Sequence, residues 1–183
     1  MQLTIIYQDE YLVAIDKPSG LLVHRSMLDK YETPFAVQLL LYQIGQHVFP
    51  VLRLDKRTSG VLVFALSAEI AKKLSEQFAA QVIEKTYLAV VRGYIRDEGV
   101  IDYALKEKLD KIADKMAKQD KPAQDAVTLF HRLDKFEWPF AVGRYASARY
   151  SLVQLTPKTG RKHQLRRHLA HINHPIVGDT SHG

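Results

Sequence analysis

Apolar residues recur along this chain in two rhythms, a two-residue alternation and a three-to-four-residue one. Leu3–Tyr7 and Tyr11–Ile15 are β-rich runs divided by the polar Gln8–Glu10, and the "DKPSG" after them has the composition of a tight turn. Thr33 with Pro34 directly after it predicts a helix start, and Phe35, Leu39, Leu40 and Ile44 keep helical spacing up to Gly45. Val61–Leu66 is continuously apolar and short enough for a buried strand. Ser67 then caps a helix with Ile70, Leu74 and Phe78 on one face.

Lys85–Ile95 is β-rich and interrupted by Gly93, and "GVIDYAL" reads as the next strand. Lys106–Lys121 carries six lysines against four acids and few large apolar residues, the composition of a solvated helix or loop. Strands return at Ala126–Leu133 and Ala148–Leu155, and a last helix is predicted over about Arg161–Ile172. Strict βαβα alternation is missing. The expected class is α+β: a mixed, mainly antiparallel sheet with helices packed beside it, in one folded unit over residues 1–183.

Composition narrows the functional classes. No apolar run is long enough to span a membrane, and the amino terminus lacks the features of a secretory signal, so a soluble cytoplasmic protein is expected. Without cysteine, disulfides, thiol nucleophiles and thiolate metal sites are excluded. The net charge of +6 is uneven: residues 151–183 hold five Lys or Arg against one acid, and five of the eight histidines lie between His163 and His182. Such concentrated cation points to a polyanionic partner.

The tetrapeptide RLDK occurs twice, around Asp55 and around Asp134. An aspartate before Thr-Ser-Gly is ordinarily a turn residue, and "RLDKFEWP" reads as a strand end meeting a surface turn. The two aspartates differ in the segment each one enters. Asp55 feeds a buried strand able to hold a carboxylate rigidly, and Asp134 does not. In the last helix Leu165, Leu169 and Ile172 form an apolar face; Lys162 and Arg166 flank it on one side, Arg161 and His168 on the other, while His163, Gln164, Arg167 and His171 point away. This is either a solvated basic face or a phosphate contact. His168 and His171 share the i,i+3 spacing of metal ligands, yet no third ligand or HExxH completes a shell. Tyr87 alternates with Lys85, Ala89 and Val91, the pattern of a packed strand tyrosine. No phosphate loop, dinucleotide fingerprint or nucleophile elbow occurs.

Taken in order, "DEYLVAIDKPSGLLVH", "RLDKRTSGVLVFALS", "EKTYLAVVRG" and "LTPKTGRKHQLRRHLAHINHPIVGD" resemble the successive motifs of the RluA-type pseudouridine synthases, over nearly the whole chain. "LLVHRSMLDK", "YQIGQHVFP" and "LDKIADKMAKQDKPAQDAVT" resemble a bacterial branch of that family acting on tRNA, at uridine 65 of the acceptor stem, without an amino-terminal S4-type RNA-binding domain.

The resemblance implies roles for particular residues. Asp55 matches the catalytic aspartate, with Asp134 a decoy; Tyr87 the tyrosine stacking on the target uracil; Arg166 the arginine pairing with the aspartate; and Arg53 the arginine filling the space left by the flipped base. RNA contacts are expected from Arg53, Lys56, Arg57, Arg161, Lys162, His163 and Arg167. No cofactor, metal, membrane or obligate protein partner is implied, since isomerising uridine involves neither net oxidation nor hydrolysis. Two departures stand out. Leu52 replaces the family histidine, and family members continue into further strands past "HPIVGD", which implies that C-terminal strands are missing and a sheet edge is exposed to association. A ribosomal-RNA synthase of the same family and a non-catalytic RNA-binding module are the alternative readings.

Overall fold

The computed structural model describes residues 1–23, 35–107 and 121–183. The expected Thr33 cap and most of the lysine-rich Lys106–Lys121 stretch lie outside them. The chain divides into two compact units, Met1–Ile83 and Glu84–Gly183.

In the first unit, strands β1 (Thr4–Gln8), β2 (Leu12–Lys17), β3 (Phe49–Pro50) and β4 (Gly60–Ala65) form an antiparallel sheet in the order β1-β2-β4-β3. The β1–β2 turn is fixed by Asp9, whose Oδ1 accepts from the backbone N–H groups of Tyr11 (2.8 Å) and Leu12 (2.9 Å). Helix α1 (Ala36–Ile44) starts after Phe35 and ends at Gly45, whose φ of 68° is the left-handed conformation that stops helices. Helix α2 (Ala68–Ala79) is capped by Ser67, which accepts from Ile70 N at 3.2 Å. Its Ile70, Leu74 and Phe78 are half-buried, as their spacing predicts.

In the second unit, β5 (Tyr87–Arg92), β6 (Glu98–Asp102), β7 (Val127–Trp138) and β8 (Ala148–Pro157) make an antiparallel sheet in the order β5-β8-β7-β6. Helix α3 (Gln164–His171) packs on it through the wholly buried Leu169, which joins Val91, Ile95, Ile101, Phe130, Val153 and Leu155 in the core. Each such side chain contributes about 1.5–3 kcal/mol on burial.

The α+β class with mainly antiparallel pairing holds: every strand pairing among the described residues is antiparallel, and the strands lie in two sheets. Strand β7 also runs five residues beyond its expected end at Leu133. A bulge between Arg132 and Asp134 takes up the extra residue, pairing resumes with Asp134 opposite Leu152, and Phe136 stands opposite Tyr150, their rings 5.4 Å apart. Asp134 is therefore an exposed strand residue and not the turn residue expected from the sequence.

Helix α3 is shorter than predicted because His163 before it has φ 53° and ψ 30°, outside the right-handed helical region. The segment after α3 returns to the sheet: Arg92 N donates to Pro175 O (3.0 Å) and Val177 N to Val90 O (2.9 Å), covering part of the outer edge of β5.

Candidate active site

In the first unit Asp55 lies on the connection entering β4, after the buried Leu54. Its carbonyl accepts from Thr58 N (2.9 Å), closing a turn, and Gly60 at φ 126° leads into the strand. The "DKPSG" turn at the end of β2 grips this connection from the side. Gly20 N donates to Lys56 O (2.8 Å) and Ser19 Oγ to Arg57 O (2.7 Å). Lys17, whose side chain is 0% exposed, places its ammonium on three carbonyls, Pro18 (2.9 Å), Leu21 (2.8 Å) and Lys56 (3.0 Å). Burial pushes the Lys17 ammonium toward its neutral form, and the Asp55 carboxylate opposes that shift. A half-buried carboxylate thus faces a fixed positive charge on a backbone tied at several points.

Arg53 and Arg57 are exposed on either side of Asp55, and Lys56 is half-buried. Sequence reasoning missed Lys17, although the signal was there. In β2 the two-residue alternation sets Lys17 on the same side as Val13 and Ile15, both fully buried.

In the second unit Tyr87 stands opposite Leu155 and packs half-buried against the core, as Leu165 also does. The predicted face of Lys85, Tyr87, Ala89 and Val91 is the inward one. Burial lowers the pKa of the Lys85 ammonium, which lies 3.6 Å from where a β-carbon on Gly160 would sit.

Arg166 forks onto Asp179, Nε to Oδ2 at 3.1 Å and Nη2 to Oδ1 at 2.9 Å. The Asp179 carboxylate is 2% exposed and also accepts from Ser181 N (3.0 Å) and His182 N (3.2 Å). Burial alone would raise its pKa; the guanidinium and the two backbone N–H groups outweigh this and hold it at about 2.

Among the other cations, Arg161 Nε donates to Asp125 O (2.9 Å) and Arg167 Nη2 to Lys106 O (2.7 Å). Lys162 is exposed, and His163 Nδ1 lies 3.2 Å from His182 Nε2. One residue expected to point away does not: Gln164 is buried. His171 is exposed, as expected, and stacks on the exposed Tyr103 with ring centroids 3.6 Å apart. His168 has both ring nitrogens engaged, by Thr128 Oγ1 and Tyr103 O, so it is a packed residue and not half of a metal pair. No group of three or more metal-ligating side chains occurs among the described residues.

Residues 11–171 match the family described as RNA pseudouridylate synthase, a span that runs through both units. The chain belongs to that family. It is therefore an isomerase by class. The tRNA pseudouridine synthase C of Vibrio parahaemolyticus is 62% identical over 183 residues, covering 100% of this chain and 74% of the relative. That of Haemophilus ducreyi is 61% identical, covering 100% of this chain and 75% of its own. Human RNA pseudouridylate synthase domain containing 4 superposes with a TM-score of 0.71 at 30% identity, over 98% of this chain and 69% of that one. The corresponding human domain-containing-1 protein gives 0.75 at 27% identity, over 100% and 70%. No helix among the described residues is long and apolar enough to cross a membrane.

Proposed function

We propose that this pseudouridine synthase acts on tRNA, converting a uridine of the acceptor stem, of the position-65 type, with Asp55 as nucleophile. The observation that carries the reading is the clamped Asp55 turn, in a chain 62% identical along its whole length to a tRNA pseudouridine synthase C.

The reaction breaks the N1–C1′ bond, turns the base and joins C5 to C1′; the C5 proton leaves to solvent and N1 gains one. A carboxylate attacking C1′ or C6, or assisting elimination, must remain ionised in a partly desolvated place. The Asp55 charge in turn favours the charged form of the buried Lys17 ammonium, against the pull of burial. The base must first leave its stack, at a cost of a few kcal/mol, which stacking on Tyr87 and phosphate contacts offset. The resemblance gives Arg53 the role of filling the vacated space, and gives Arg166, whose Nε and Nη2 hold Asp179 here, the role of pairing with the catalytic carboxylate. Lys56, Arg57, Arg161, Lys162, His163 and Arg167 meet the RNA backbone. Residues 1–183 act as one catalytic domain in the cytoplasm, with tRNA as the partner and no obligate protein partner.

The test is tRNA tritiated at uridine C5, from which turnover releases the label as water. Wild type and Asp134→Asn release it, and Asp55→Asn does not. Release that survives Asp55→Asn, or is lost with Asp134→Asn in a folded protein, overturns the assignment.

A further inference from the structure

A buried chain of hydrogen bonds ties the start of α3 to β7. Gln164 Oε1 accepts from Arg161 N (3.0 Å) and from the Thr159 hydroxyl (2.7 Å). Gln164 Nε2 donates to Val127 O (3.1 Å) and to Thr128 Oγ1 (3.0 Å). Thr159 Oγ1 accepts from Val127 N (3.0 Å). One turn along the helix, His168 is 0% exposed, with Nδ1 at 2.8 Å from Thr128 Oγ1 and Nε2 at 2.9 Å from Tyr103 O.

Elementary donor and acceptor rules fix every proton in this chain. A carbonyl only accepts, so the imidazole proton is on Nε2, and Nδ1 of the neutral ring accepts. The Thr128 hydroxyl therefore donates to His168 and accepts from Gln164. Rotating the Gln164 amide by half a turn would set its NH2 against the Arg161 N–H, so its orientation is fixed as well.

The loop so held is Thr159–His163, and it ends in strain. His163 is a non-glycine residue in the left-handed region, at a cost of about 1 kcal/mol or more, which persists only where the surroundings over-determine the backbone. Gln164 supplies the anchor on one side, and Lys158 N on Val127 O (2.9 Å) supplies it on the other.

We infer that Thr128, Gln164 and His168 are positioning residues, whose relay fixes the Thr159–His163 loop and so sets Arg161, Lys162 and His163 for RNA phosphate. The inference rests on the RNA-contact reading above. Protonating His168 would turn Nδ1 into a donor and leave the Thr128 hydroxyl proton without a buried acceptor. Burial opposes that protonation, as do Arg167 and His171 on the same helix, while the Tyr103 carbonyl and Asp102 at the end of β6 favour it.

The experiment compares the full chain with Thr128→Val, which keeps the shape and removes the hydroxyl, and Thr128→Ser, which keeps the hydroxyl. Filter binding gives the tRNA dissociation constant, and tritium release gives KM and kcat. Thr128→Val weakens tRNA binding and raises KM about fivefold to tenfold, with kcat within about twofold, and Thr128→Ser binds as wild type. A Thr128→Val protein that melts lower yet binds tRNA like wild type overturns the inference.

Should Thr128→Val not fold, the wild type alone decides. Loss of exchange protection at the Arg161 amide must track the titration of the His168 ring followed by NMR; protection that outlasts ring protonation overturns the relay. Absence of tritium release from wild type, with binding still dependent on Thr128, is failure of the enzymatic reading alone.

Discussion

The ammonium of Lys17 donates to the carbonyl of Lys56 at 3.0 Å, one residue past Asp55, and is itself fully buried. A cation normally found in solvent is instead a structural pin in the floor of the candidate nucleophile turn. Its own solvation is replaced by three carbonyls and the nearby Asp55 charge, and that charge opposes the pull of burial toward the neutral form.

Replacing Lys17 with Met should therefore strip three carbonyls of their donor at once, at a cost of ~3 kcal/mol. Urea unfolding measures that loss. At temperatures where the variant remains folded, tritium release should still fall by about tenfold, because the turn is no longer held in register. Equal stability and equal release in Lys17→Met and wild type would remove the pin from the account.

Asp179 predicts the acid limb of the stability curve. Its carboxyl is held at about 2 against an ordinary 3.8, so the folded state binds its proton less readily than the unfolded chain. A depressed acid contributes stability that is present above its unfolded value and lost as pH falls from about 3.8 to about 2. The contribution is up to ~2 kcal/mol. Asp179→Asn should lower stability at neutral pH and flatten the decline between pH 4 and 2, as read by denaturant midpoints.

His168 acts at higher pH and through the unfolded state. Its folded pKa lies below the ordinary 6.5, so its contribution is complete above that value and declines as pH drops through it, the unfolded chain taking up the proton first. Denaturant midpoints between pH 7 and 5 should fall for wild type and fall less for His168→Asn.

Gly99 has no room for a side chain. A β-carbon there would lie 2.6 Å from Cζ of the buried Phe130 and 2.5 Å from Nη2 of Arg96, which stacks over the same ring. Gly99→Ala should cost about 1–3 kcal/mol through displacement of Phe130. Val100→Ala, at an exposed neighbouring position, serves as the control and should change stability by less than about 0.5 kcal/mol.

Periodicity was sufficient for elements whose two faces meet different surroundings. The alternation in β8 and the apolar run of β4 appear where their patterns place them, as does the Ser67 cap. Periodicity failed where polar side chains are buried with partners. Gln164 and His168 stand beside the Leu165–Leu169 stripe and are polar; partners far away in sequence, the Thr128 hydroxyl and the Val127 and Tyr103 carbonyls, make their burial favourable. Asp134 failed for another reason, because a bulge lets polar letters persist inside a strand. The roles proposed for Asp55, Tyr87 and Arg166 rest on motif order, since spacing alone makes each an ordinary turn, strand or helix residue.

Lys17 and Lys56 are 39 positions apart, and β2 and β4 must pair before their bond can form. The candidate nucleophile is consequently a late product of folding. A nascent or partly folded chain can display its basic residues to RNA, yet it has no organised carboxylate with which to attack, so commitment to chemistry waits on closure of a long-range contact.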